Sequence, residues 1–155
     1  MNDNQAIRAV RALADSPENL CFACGPGNER GLHLHFTTDG TTARAEFSPE
    51  DWQYGWQGVV HGGILATLLD EALAYVLFFR GIQAMTARMD IRYRRPVRSN
   101  ERLTVEAQLV RNAPKIADVR GAVLRDGAVV AEATGRFVKV GELVSLDLGQ
   151  PAGVV

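Results

Sequence analysis

From Ile64 to Phe79 the chain reads Ile-Leu-Ala-Thr-Leu-Leu-Asp-Glu-Ala-Leu-Ala-Tyr-Val-Leu-Phe-Phe, apolar at nearly every position. A run of that length suits a helix better than a strand. A helix that is apolar on every face has to be surrounded by the rest of the chain. With Asp70 and Glu71 inside it, the run falls short of the roughly 18 uninterrupted apolar residues that a membrane span requires.

The flanking sequence supplies the cover. Ile7, Val10, Leu13 and Ala14 recur at helical spacing, so residues 4–14 are expected to form a short amphipathic helix, broken at Asp15-Ser16-Pro17. Leu32, Leu34 and Phe36 alternate as the buried face of a strand, and Ala43, Ala45 and Phe47 repeat the pattern after the turn signal Asp39-Gly40. An aromatic and glycine-rich loop, 50–60, leads into the apolar segment. Beyond Gly81, four runs have strand character: 85–94, 101–111, 115–125 and 128–139, the last two joined at Asp126-Gly127. This order predicts an α+β fold in which a curved antiparallel sheet of about six strands wraps a long central helix.

The 155 residues leave room for one such domain. Residues 1–20 read as the N-terminal helix and linker, 21–140 as the domain, and 141–155 as a tail without periodicity. Seventeen Lys and Arg against eighteen Asp and Glu give a net charge of -1, which builds in no attraction to nucleic acid or an anionic membrane. No signal-peptide pattern opens the chain, so a cytoplasmic protein with reduced Cys21 and Cys24 is expected.

Three features carry candidate chemistry. Asp70 is a carboxylate in an apolar helix, expensive to desolvate unless it lines a pocket or is paired; the alternative is a solvent-facing stripe shared with Glu71. His61-Gly62-Gly63 stands at the helix start, where glycine lets a backbone N–H approach a ligand and the helix dipole favours negative charge. A tight turn explains the glycines equally well, and His61 is then a residue that fixes the loop. Cys21 and Cys24, with His33 and His35, make four potential zinc ligands; alternation explains both histidines as solvent-side residues, and the expectation is no metal.

The segment from His61 to Asp70, with its carboxylate nine residues after the histidine, resembles the signature of the PaaI-type (phenylacetic-acid-degradation) hotdog thioesterases. The likeness extends to Cys21-Phe22-Ala23-Cys24-Gly25-Pro26 with Asn28 and Gly31-Leu32, and to Thr86–Tyr93 with Pro96-Val97. It implies a hotdog fold and acyl-CoA hydrolysis, with Asp70 as general base or nucleophile, the Gly63 N–H polarising the thioester carbonyl, and Gly62 and His61 beside it. Thr86 then holds the water. CoA enters as part of the substrate, and no separate cofactor is implied. The same resemblance implies a homodimer with its active site at the subunit interface, in a family where a tetramer is common. Relatives carry Asn or Gln in the loop before the glycines where this chain has Tyr54 and Gly55, with Gln57 nearby as the candidate substitute. Arg88, Arg92 and Arg94 share a strand face and offer charge to the CoA phosphates. Trp52, Tyr54 and Trp56 are expected to gate an acyl tunnel lined by Leu73, Val76 and Leu77. The competing readings are a catalytically silent acyl-CoA-binding protein and a hotdog dehydratase or hydratase.

Overall fold

The computed structural model describes residues 3–142. In chain order it contains helix α1 (Asp3–Ala14), strands β1 (Thr37–Thr38) and β2 (Thr42–Phe47), a 3-10 turn at Asp51–Gln53, strands β3 (Tyr54–Trp56) and β4 (Val59–Val60), and helix α2 (Gly62–Phe78). Four long strands follow: β5 (Ile82–Tyr93), β6 (Leu103–Asn112), β7 (Ile116–Arg125) and β8 (Ala128–Glu142). The main sheet is antiparallel with order β1-β2-β6-β7-β8-β5, and β3 and β4 form a separate hairpin. Among the described residues no helix is long and apolar enough to cross a membrane.

The sheet closes on α2 because its inner face is built from small residues in register. Ala43 lies opposite Ala107, Ala107 opposite Gly121, Gly121 opposite Ala133, and Ala133 opposite Ile91. Leu73 of α2 fills the hollow: a Cβ added at Gly121 or Gly135 would lie 3.2 or 2.8 Å from its methyl groups. Leu68, Leu69, Leu73, Val76, Leu77 and Phe137 are fully buried there, each worth about 1.5–3 kcal/mol of transfer free energy. Arg80 finishes the helix, its guanidinium donating to Val76 O at 2.7 Å and to Gly40 O at 3.2 Å, which also pins the β1–β2 turn. At Asp126-Gly127, φ values of 50° and 78° give the two-residue hairpin turn that the sequence signals.

Four expectations need correction. Leu32, Leu34 and Phe36 are buried, but 32–36 is not a strand: Leu32 and Leu34 donate their N–H groups to Phe22 O and Ala23 O at 2.8 and 2.9 Å, so the segment pairs with the cysteine loop and not with the sheet. Second, α2 is not covered on every side, since Gly63 is exposed and Ala66, Thr67, Asp70 and Ala74 are half-buried. Third, Leu73, Val76 and Leu77 are packed in the core with no exposed surface, so they do not line a tunnel. Finally, β8 continues through Gly141 and Glu142, and the rest of the expected tail lies outside the described residues.

The two sheet edges differ. β1 has two residues, whereas β5 has twelve and, among the described residues, pairs with β8 alone. Residues 85–88 of β5 are exposed, Met85 at 65%. A long, open, partly apolar edge is a template for pairing with another strand.

Candidate active site

Asp70 meets Thr86 across the gap between α2 and β5: Thr86 Oγ1 donates to Asp70 Oδ1 at 2.8 Å. A bulge makes this contact possible. Thr86 lies opposite buried Phe137 and therefore points inward, yet Arg88 lies opposite Arg136 and points outward, so the register shift at Ala87 reverses the faces. Bulges of this kind re-aim side chains beside functional sites. The pair sits at the open edge of the sheet, with Thr86 itself exposed, and so is reachable by a ligand or a second chain.

The helix start is held from three directions. His61 is the N-cap, and its Nδ1 accepts the Gly63 N–H at 2.8 Å. Tyr93 donates its hydroxyl to Gly62 O at 3.0 Å and lays its ring within 3.5 Å of where a Gly62 Cβ would stand. Gln53 O accepts the His61 N–H at 2.8 Å. Gly55 has to be small, because a Cβ there would lie 3.0 Å from His61 Cα. The Gly63 N–H is thus engaged by imidazole and becomes available to a carbonyl only when that ring turns away. A cavity of about 350 Å³ opens beside this turn, lined by Gly62, Leu65, Tyr93, Arg94, Arg95 and Val97 among others.

The remaining expected site residues lie apart from Asp70. Tyr54 ties its hydroxyl to Asp51 Oδ1 and Ser99 Oγ at 2.8 and 2.7 Å, and Ser99 and Tyr54 together hold the Asp51 carboxyl below its usual range. Gln57, at φ 33°, sits exposed at the tip of the β3–β4 hairpin, and Trp52 and Trp56 are also exposed, Trp56 at 74%. Arg88 and Arg92 lie on the outer face of β5, away from Asp70. Arg88 pairs with Asp90 at 3.0 Å, and Arg94, just past the strand, pairs with Glu132 at 2.5 Å. His33 and His35 are exposed, and His35 Nδ1 approaches Asp15 at 3.6 Å, so they do not join the cysteines.

Three residues were missed in the sequence. Gln53 is the one buried polar side chain among the described residues, closing a capping box in which its Oε1 accepts the Glu50 N–H at 3.1 Å; the Glu-x-x-Gln spacing was the signal. Tyr93 has no local signal, standing 31 residues from the glycine it holds. Glu71, by sequence a neighbour of Asp70 on a solvent-facing stripe, is the third. It lies instead under the N-terminal loop, where Cys21 Sγ approaches its Oε1 at 3.7 Å, and burial pushes its carboxyl up to about 7. The Cys24 thiol, together with the backbone N–H groups of Cys24 and Ala23, lowers Cys21 to about 5 against desolvation, while Cys24 itself is raised.

Residues 57–132 match the profile of the thioesterase superfamily. The PaaI protein of the Escherichia coli phenylacetic acid degradation operon superposes with a TM-score of 0.75 at 20% identity, over 90% of this chain and 96% of that one. A thioesterase superfamily protein superposes with a TM-score of 0.72 at 29% identity, over 77% and 60% of the two chains. A hypothetical thioesterase from Streptococcus pneumoniae TIGR4, solved with coenzyme A, gives 0.67 at 19% identity over 70% and 87%. A search of curated protein sequences finds no match. The chain has the hotdog fold, and from Gln57 to Glu132, the span holding the glycine turn, Asp70 and Thr86, it carries the pattern of the thioesterase superfamily, with PaaI among its structural neighbours.

Proposed function

We propose that this protein is an acyl-CoA thioesterase in which Asp70 activates water, or attacks directly, at the thioester carbon. The observation that carries this reading is the Asp70–Thr86 pair at the open sheet edge. Thr86 occupies one carboxylate oxygen and fixes the other where it can accept a proton from water. The Streptococcus pneumoniae neighbour with bound coenzyme A supports a CoA thioester as the substrate class.

The helix geometry adds a condition. Gly63 and Asp70 are seven residues apart on one helix, about 10 Å along its axis, whereas a base and an oxyanion donor must both stand about 3 Å from the reacting group. One chain therefore cannot apply both to a single thioester. Two chains can, if they pair through the open edge of β5 so that Asp70 of one faces the glycine turn of the other. In that arrangement the incoming carbonyl displaces the His61 imidazole from the Gly63 N–H, and Arg94 and Arg95 beside the turn offer charge to the CoA phosphates.

One observation favours a second reading, that of a silent acyl-CoA-binding protein. The buried amide of the loop, Gln53, caps a turn, and Gln57 stands exposed at a hairpin tip, so neither meets Asp70 within the chain. Thiol release from acetyl- through palmitoyl-CoA, phenylacetyl-CoA and 4-hydroxybenzoyl-CoA separates the two. Thioesterase action predicts turnover that falls about 10²–10⁴-fold in Asp70→Asn. Acyl-CoA binding by the wild type without any thiol release would establish the silent protein.

A further inference from the structure

The carboxylate next to Asp70 has partners that thioester hydrolysis does not use. Cys21 Sγ and Glu71 Oε1 are 3.7 Å apart, and one donor atom each from Cys21, Cys24 and Glu71 lies within 4.8 Å of the other two. The loop that presents the sulfurs is wound by its backbone. Gly25 donates its N–H to Cys21 O at 2.9 Å. No side chain fits at Gly25, where a Cβ would stand 2.4 Å from Asn19 O and 2.5 Å from Cys21 N. Asn19 completes the turn, accepting the Cys21 N–H at 3.0 Å and donating to Ala14 O at 3.1 Å and Cys24 Sγ at 3.8 Å.

We propose that Cys21, Cys24 and Glu71 bind a thiophilic divalent cation, zinc by its ligand chemistry, which clasps the N-terminal loop onto α2. Tetrahedral zinc, with bonds of about 2.3 Å to sulfur and 2.0–2.2 Å to oxygen, sets a sulfur and an oxygen ligand about 3.5 Å apart. The Cys21–Glu71 separation already lies close to that value. Two thiolates select zinc over magnesium or calcium, which take oxygen ligands. Three protein donors leave the fourth position to water. The clasp closes a long loop, Cys24 to Glu71, whose intervening segment 32–36 has no place in the sheet. The donor set differs from the cysteine–histidine set considered from sequence, because His33 and His35 point to solvent.

The test uses the full chain, reduced and stripped of metal, titrated with cobalt(II) and then with zinc(II) against a chromogenic chelator. The expected result is one cation per chain, a thiolate-to-cobalt charge-transfer band, binding at least about tenfold weaker in Glu71→Gln, and loss of the band in Cys24→Ser. Asp70→Asn should bind cobalt as the wild type does, so failure of the thioesterase reading leaves this result intact. Should Cys24→Ser not fold, zinc protection of both thiols in the wild-type chain against alkylation gives the same answer. A folded wild type that shows no band and no protection overturns the site; wild-type affinity in Glu71→Gln overturns its donor set.

Discussion

Asp70 and Glu71 are adjacent in sequence, yet about 100° apart around α2, and the two sides of the helix they face have little in common. Asp70 looks toward an edge strand that ends the sheet, where its partner Thr86 is exposed. Glu71 looks toward a loop already closed over it, with two sulfurs in reach and its carboxyl pushed up to about 7 by burial. On the two proposals made above, one turn of helix serves two unrelated chemistries. The open side is suited to a ligand and a second subunit, while the closed side is suited to holding the fold together.

Changes on the open side should act on assembly and turnover. Met85→Glu puts a charge on the exposed edge of β5, and should convert the proposed dimer to a folded monomer with activity lowered at least about a hundredfold; sedimentation and thiol release read the two effects. A variant that stays dimeric would place the interface elsewhere. Thr86→Ala removes the hydroxyl that orients Asp70, and a fall of about tenfold in kcat with little change in KM is expected, as for loss of one hydrogen bond of about 1.4 kcal/mol in the transition state.

Changes elsewhere should act on stability. Asn19→Ala unties the cysteine loop, leaving the Cys21 N–H without its acceptor, and should cost about 1–3 kcal/mol in a urea titration. If turnover fell in proportion, the two sides of α2 would not be separable. His61→Ala loses the cap on the Gly63 N–H and should cost about 1 kcal/mol. The smallest effect is expected far from both sides, at the β1–β2 turn. The Thr42 and Thr41 N–H groups hold Asp39 down at about 2. Its stabilising contribution is therefore complete above the unfolded value of about 4 and lost as pH falls through 2. Asp39→Asn should be less stable than wild type at neutral pH, with the difference shrinking below about pH 4 and vanishing only below about pH 2.

Much of this was legible in the sequence, for reasons that also explain what was not. The apolar run, Asp70, the glycine turn and the four long strands are written in local composition and period. Leu32, Leu34 and Phe36 disclosed their buried side by alternation, but not their partner: Phe22 O and Ala23 O accept the Leu32 and Leu34 N–H groups, a choice no period encodes. The outward turn of Arg88 depends on a bulge at Ala87 that lacks a glycine signal. Tyr93 on Gly62, and Glu71 beneath the cysteines, are contacts across 31 and 50 residues that only the closed sheet creates.

The central claim, that each thioester is handled by Asp70 of one chain and the glycine turn of another, is tested most directly by subunit mixing. Asp70→Asn and Gly63→Val dimers, each expected to be inactive alone, are dissociated, combined in equal amounts and reassembled. Half of the resulting dimers should be mixed, each with one intact site, returning roughly a quarter of wild-type turnover. Mixed dimers that form but remain inactive would contradict the account.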